Sequence, residues 1–126
     1  YALEIAMTDF EKNSTHINNM ETLFFQLLDK TKIDYKVNGN PRLKGIINIT
    51  FFDYDGHSLL LNLDMKNIAI SFGSACASGS AKASSSLLSI GLREEIANKT
   101  VRISIGKQIT DKNIYFLIDT LKEIIQ

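Results

Sequence analysis

The chain's only cysteine, Cys76, stands in a run of small residues: Gly73, Ser74, Ala75, Cys76, Ala77, Ser78, Gly79. An ionised thiol is a nucleophile, and it can also take up sulfur and pass it on. Small neighbours cannot anchor a loop by packing, and the glycines widen the accessible backbone space. Residue type alone therefore leaves two readings open, a mobile reactive thiol or a buried inert cysteine at the end of a strand. The second candidate is Arg102, in the run Thr100 to Gly106. If Val101, Ile103 and Ile105 face a core, the pleat turns Arg102 to the opposite face. There its five-donor fork could meet a carboxylate in two parallel hydrogen bonds. An ordinary solvated arginine or a surface ion pair fits the same pattern.

Other chemical groups carry less. His16 and His57 lie among polar residues and read as solvated or helix-start histidines, with no role assigned. Asp53, Asp55 and Asp64 read as turn and cap residues, because a calcium loop also needs a glycine and a terminal glutamate at fixed positions that are lacking here. One cysteine excludes an internal disulfide, and with only two histidines a thiolate or imidazole metal cage is poorly supplied.

The elements that must position these groups follow from periodicity. Residues 2–31 repeat apolar positions at helical spacing, with Ile17, Met20, Phe24, Leu27 and Leu28 on one stripe, and predict a long amphipathic helix broken near Asn13. Residues 37–45 hold the only proline and two glycines and predict a loop, and the β-branched run 46–52 predicts a strand. A short helix is expected from Asp55, carrying Leu59, Leu60, Leu61 and Leu63, and a brief strand at 68–72. A helix capped by Ser84 or Ser85 and stopped at Gly91 follows, with a further short turn at 93–99. A strand at 100–106 and a last helix capped by Thr110, with apolar positions 114, 117, 118, 121, 124 and 125, complete the pattern α, β, α, β, α, β, α.

The totals bound the class. At 126 residues the chain is one domain's worth, and 44% hydrophobic with 22% charged residues is ordinary for a folded, soluble domain. Fourteen basic residues balance fourteen acidic ones without a basic stripe, which argues against nucleic acid and an anionic membrane surface as partners. No apolar run approaches the ~20 residues of a membrane span, and the start lacks the basic region of a signal peptide, so a cytoplasmic location is expected. The chain begins at Tyr1, inside a helical pattern, and reads as a piece of a longer protein.

The segments 38–51, 55–63, 68–92, 100–110 and 114–125 together resemble the C-terminal part of cysteine desulfurases of the NifS or IscS type, pyridoxal-phosphate enzymes of the class-V aminotransferase group. The most specific pieces are the Gly-Ser-Ala-Cys stretch at 73–76 followed by Ser-Gly-Ser at 78–80, and Arg-x-Ser-x-Gly at 102–106. The resemblance implies an α/β (α+β) fold: a small, largely antiparallel sheet from 46–52, 68–72 and 100–105, covered on one face by the first and last helices. By this resemblance residues 1–126 are expected to be the C-terminal small domain of a fold-type I aminotransferase-like enzyme.

By the same resemblance Cys76 is the catalytic nucleophile that takes sulfur from L-cysteine, leaving L-alanine and a persulfide, and Arg102 binds the substrate's α-carboxylate. The implied cofactor is pyridoxal phosphate. No cofactor or metal is assigned to residues of this chain, because the family's cofactor-bearing lysine, stacking histidine and ring-pairing aspartate belong to a larger preceding domain. The implied partners are L-cysteine and a sulfur acceptor, such as an iron–sulfur scaffold or a tRNA-thiolation protein, with a homodimeric parent. The chain by itself is then expected to be inactive. Departures from the family pattern lie at Phe72, Ala77, Lys82, Ala83 and Lys107, and none falls on Cys76 or Arg102. The competing expectation is a non-enzymatic module that binds a partner or relays sulfur through Cys76, a role that would not require a carboxylate anchor.

Overall fold

The computed structural model describes the backbone of residues 1–73 and 85–126, and the side chains of residues 1–73 and 87–126. In chain order the elements are α1 (Ala2–Thr8), α2 (Phe10–Leu28), β1 (Tyr35–Asn38), β2 (Ile46–Phe51), α3 (Gly56–Asp64), β3 (Ser71–Phe72), α4 (Ser85–Ser89), α5 (Glu94–Ala97), β4 (Thr100–Ser104) and α6 (Asp111–Ile125). The four strands form one sheet in the order β1-β2-β4-β3, with every neighbouring pair antiparallel.

Strand alternation sorts the sheet into an apolar and a polar face. In register, Val37 faces Ile49 and Ile49 faces Val101, while Ile47 faces Ile103. Ile47, Ile49, Phe51, Val101 and Ile103 are buried in one cluster with Phe24 and Leu28 of α2, Leu59 and Leu63 of α3, and Ile114, Leu117, Ile118 and Leu121 of α6. Each such side chain contributes about 1.5–3 kcal/mol by leaving water. The helices are bounded by local chemistry. Asp55 caps α3 by accepting the Ser58 N–H at 2.8 Å, and Thr110 with Asn113 forms a capping box on α6. At the end of α4, Leu92 N–H reaches Leu87 O at 3.1 Å across Gly91, whose φ of +91° suits glycine.

Three expectations are corrected. The break in the first helical stretch falls at Asp9, not near Asn13; Asp9 closes α1 by donating to Ile5 O at 3.2 Å and opens α2 by accepting from Asn13 N at 2.9 Å. None of α1 is buried, so the apolar stripe that carries α2 into the core stops organising the chain there. The loop expected at 37–45 begins two residues later, because Val37 and Asn38 end the edge strand β1 before Gly39 and the cis Asn40–Pro41 bond. The strand expected at 68–72 pairs only at Ser71 and Phe72. Ile68 N–H instead closes the end of α3 on Leu63 O at 2.9 Å, with Asn67 at φ +61°, and this holds residues 68–70 off the sheet.

The loop before β2 is clamped to α2 by Glu21, whose side chain is 4% exposed. Its carboxylate accepts from both Arg42 terminal nitrogens, at 2.6 and 3.0 Å, from Gly45 N–H at 2.7 Å and from Lys44 Nζ at 3.4 Å. Burial pushes the Glu21 pKa up, but the Arg42 and Gly45 hydrogen bonds and the Arg42 and Lys44 charges together outweigh it and hold it below the ordinary carboxylate range. A depressed folded-state pKa gives stability that is complete above the unfolded value of about 4.3 and is lost as the pH falls through the folded value. Glu21→Gln is expected to lower stability by about 2 kcal/mol near pH 7. Urea unfolding of both proteins should show that deficit constant down to about pH 5 and shrinking below about pH 4.

Candidate functional site

The polar face of the sheet carries one row that crosses all four strands. Asn38 faces Asn48, Asn48 faces Arg102, and Arg102 faces Ser71. Directly opposed side chains in antiparallel strands stand about 4.5–5.5 Å apart at Cβ, so the row is continuous. Arg102 is exposed, as its alternation with buried Val101 and Ile103 predicts, and it donates from Nη2 to Ser71 Oγ at 3.2 Å. Among the described residues no carboxylate pairs with it, so the ion-pair alternative left open by the sequence is not what the structure contains.

A ladder of hydroxyls and amides supports the row from behind. Thr100 Oγ1 donates to Ile96 O at 2.7 Å and lies 2.7 Å from Thr50 Oγ1, and Asn38 Nδ2 donates to Thr50 Oγ1 and to Asn48 Oδ1, each at 2.9 Å. Asn38, Thr50 and Thr100 are buried, and no described buried side-chain polar atom lacks a partner.

Cys76 lies outside the described residues, as does Ser84, the expected helix cap. What is described is the chain leading to the thiol. Ser71 and Phe72 are pinned to Arg102 and Val101 in the β3–β4 pairing, and Gly73 follows at φ +73°. Phe72 is held from its other side by the start of α3. Gly56 N–H donates to Asn98 O at 2.8 Å, and a Cβ on Gly56 would come within 2.8 Å of the Phe72 ring and 2.9 Å of Asn98 O, so only glycine lets the helix approach this closely. The His57 ring also rests on Phe72, with centroids 5.8 Å apart.

His16 Nε2–H donates to Ile109 O at 2.6 Å and ties α2 to the chain before α6. Asp55 is the α3 cap, and no metal-competent cluster exists among the described residues. A groove of about 340 Å³ lies between residues 67–70, the end of β4 and α6. Its walls are mainly apolar, with Asn67, Ser104, Gln108 and Asn113 as the polar members; it holds no ionisable side chain and does not include Arg102. Ser71, Asn48 and Asn38 were not anticipated as site residues. A polar Asn48 between Ile47 and Ile49 was the available signal, but only the register reveals what it faces.

Residues 1–117 match the model of the family described as aminotransferase class-V. The chain is 35% identical over 129 aligned residues to a cysteine desulfurase IscS of Clostridium botulinum (strain Hall), covering 99% of this chain and 32% of the relative. It is 34% identical over 122 residues to a cysteine desulfurase IscS of Rickettsia rickettsii (strain Iowa), covering 95% and 29%. The chain thus spans about a third of the length of these curated relatives. Its fold is shared with a NifS-like protein from Rickettsia africae, at TM-score 0.79 and 24% identity over 95% of this chain and 31% of that one. A second NifS-like protein gives TM-score 0.79 at 19% identity, over 98% and 31%.

Proposed function

The chain belongs to the class-V aminotransferase family, and on that premise we propose that it is the thiol-bearing small domain of a cysteine desulfurase. The observation that carries this reading is the register of Ser71 with Arg102. It sets an exposed guanidinium beside the strand that leads, five residues on, to Cys76. A carboxylate anchor and a thiol nucleophile are the two groups needed to hold an amino acid by its carboxylate while its sulfur is taken.

In this reading Arg102 binds the α-carboxylate of L-cysteine through its fork. The Cys76 thiolate attacks the substrate sulfur and forms an S–S bond. The carbon–sulfur bond breaks, its electron pair stays with the carbon skeleton, and a proton completes L-alanine. The two sulfurs are oxidised as that carbon is reduced, and Cys76 is left as a persulfide for an acceptor such as an iron–sulfur scaffold or a tRNA-thiolation protein.

Pyridoxal phosphate would supply the electron sink for that bond cleavage. The described residues do not form a site for it. The groove of about 340 Å³ has no lysine, aspartate or histidine in its walls, and Lys44 and Lys66 are engaged by Glu21 and Glu123. From the family resemblance we assign the cofactor to a larger domain outside this chain, in a parent protein that acts as a dimer, and none to residues 1–126. No described helix is long and apolar enough to cross a membrane, in keeping with a soluble parent.

The test is alanine release from L-cysteine. The complete protein loaded with pyridoxal phosphate is expected to release alanine, and residues 1–126 mixed with the cofactor are expected to release none. Alanine from the 126-residue chain would place the whole active site within it and overturn the division of labour. The sulfur-relay alternative would instead show neither protein releasing alanine.

A further inference from the structure

The polar row fixes the direction of every proton up to Arg102. Thr100 has one hydroxyl proton, and it is committed to Ile96 O, a carbonyl that can only accept. The 2.7 Å contact between Thr100 and Thr50 must then be a donation from Thr50. With its own proton spent, Thr50 can only accept from Asn38, which requires the amide nitrogen of Asn38 to face it, as it does at 2.9 Å. The second N–H of the same nitrogen reaches Asn48 at 2.9 Å and needs an acceptor there, so Asn48 must turn its Oδ1 toward Asn38. The Asn48 Nδ2 group is thereby directed away from β1, and β2 lies between β1 and β4, the strand that bears Arg102. No protein acceptor takes those N–H groups among the described residues.

We infer that Asn48 is a second binding residue for the substrate carboxylate, its amide N–H₂ offered from the strand position opposite Arg102. The inference rests on the reading of Arg102 as the carboxylate anchor and adds to it the residue directly opposite Arg102 in register. Opposite Arg102 in register, an amide held the other way round would offer an oxygen and repel a carboxylate. The buried threonine ladder prevents that flip. Selectivity for ligands bearing a carboxylate is thus set in part by groups that never touch the ligand, of which Thr50 and Thr100 are the deepest.

The test uses the complete protein loaded with pyridoxal phosphate and reads the affinities of L-alanine and of ethylamine, which has the amine but no carboxylate, from the change in cofactor absorbance. Asn48→Asp keeps the acceptor that Asn38 requires and replaces the donor with a negative charge. It is expected to cut the preference for L-alanine over ethylamine by more than tenfold while leaving ethylamine affinity unchanged. Asn48→Ala, which adds no charge and serves if the aspartate variant does not fold, is expected to cut it about three- to tenfold. A merely structural role would weaken both ligands together. An unchanged preference in the folded Asn48 variants, with the preference lost in Arg102→Ala, would overturn the inference and leave the anchor standing. An unchanged preference in Arg102→Ala as well would overturn the anchor and the inference with it.

Discussion

Cys76→Ser is expected to abolish sulfur transfer in the complete protein while leaving cofactor absorbance in place. A hydroxyl is far less ionised than a thiol at neutral pH, and an oxygen cannot become a persulfide, so no residual route to the acceptor remains through this residue. The substitution changes one atom in a stretch of small residues. Assays of alanine formation and of sulfide released by a reducing thiol should both fall to background. Loss of the cofactor's absorbance in the variant would count against this assignment, because it would tie Cys76 to cofactor binding.

Arg102→Ala should raise the KM for L-cysteine about a hundredfold, the scale expected when a charge-assisted, two-point hydrogen bond to a carboxylate is removed. Arg102→Lys should recover only part of that loss, since a point charge cannot reproduce the planar fork. Thermal unfolding should hardly move in either variant, because Arg102 is exposed and its described partner is the single Ser71 hydroxyl. Steady-state kinetics with L-cysteine as the varied substrate separates these outcomes. A KM unaltered by both substitutions would remove Arg102 from the binding site.

How far the sequence discloses this arrangement depends on the range of the interactions involved. Local chemistry is readable: Asp55 and Thr110 cap the helices they precede, Gly91 ends α4, and the alternation at 100–104 puts Arg102 on the polar face. Each of these features is decided within a few residues. The antiparallel sheet and its cover of α2 and α6 also match expectation, with α3 joining the same layer. What local pattern does not disclose is pairing at a distance. β1 has only four residues and is held as an edge strand by β2, while Ile68 and Ile70 look like strand residues yet line the groove, because the end of α3 holds them off β4.

The same limit applies to the site. Arg102 could be proposed from its own strand, but Ser71 and Asn48 become its neighbours only through registers that join residues 31 and 54 positions apart. Asn38 and Thr50 matter only through the hydrogen bonds that orient Asn48, a property of the folded network rather than of any one segment. The buried Glu21 clamp is equally remote, since Arg42 and Gly45 lie more than twenty residues away in the sequence. In each case residue types were visible and partners were not.

The central claim is that Cys76 receives the sulfur of L-cysteine, and mass spectrometry of the complete, cofactor-loaded protein after exposure to L-cysteine tests it most directly. The peptide containing Cys76 is expected to gain the mass of one sulfur atom, lost again on treatment with a reducing thiol, together with release of alanine. An unmodified Cys76 peptide in protein that has bound both cofactor and L-cysteine would contradict the account.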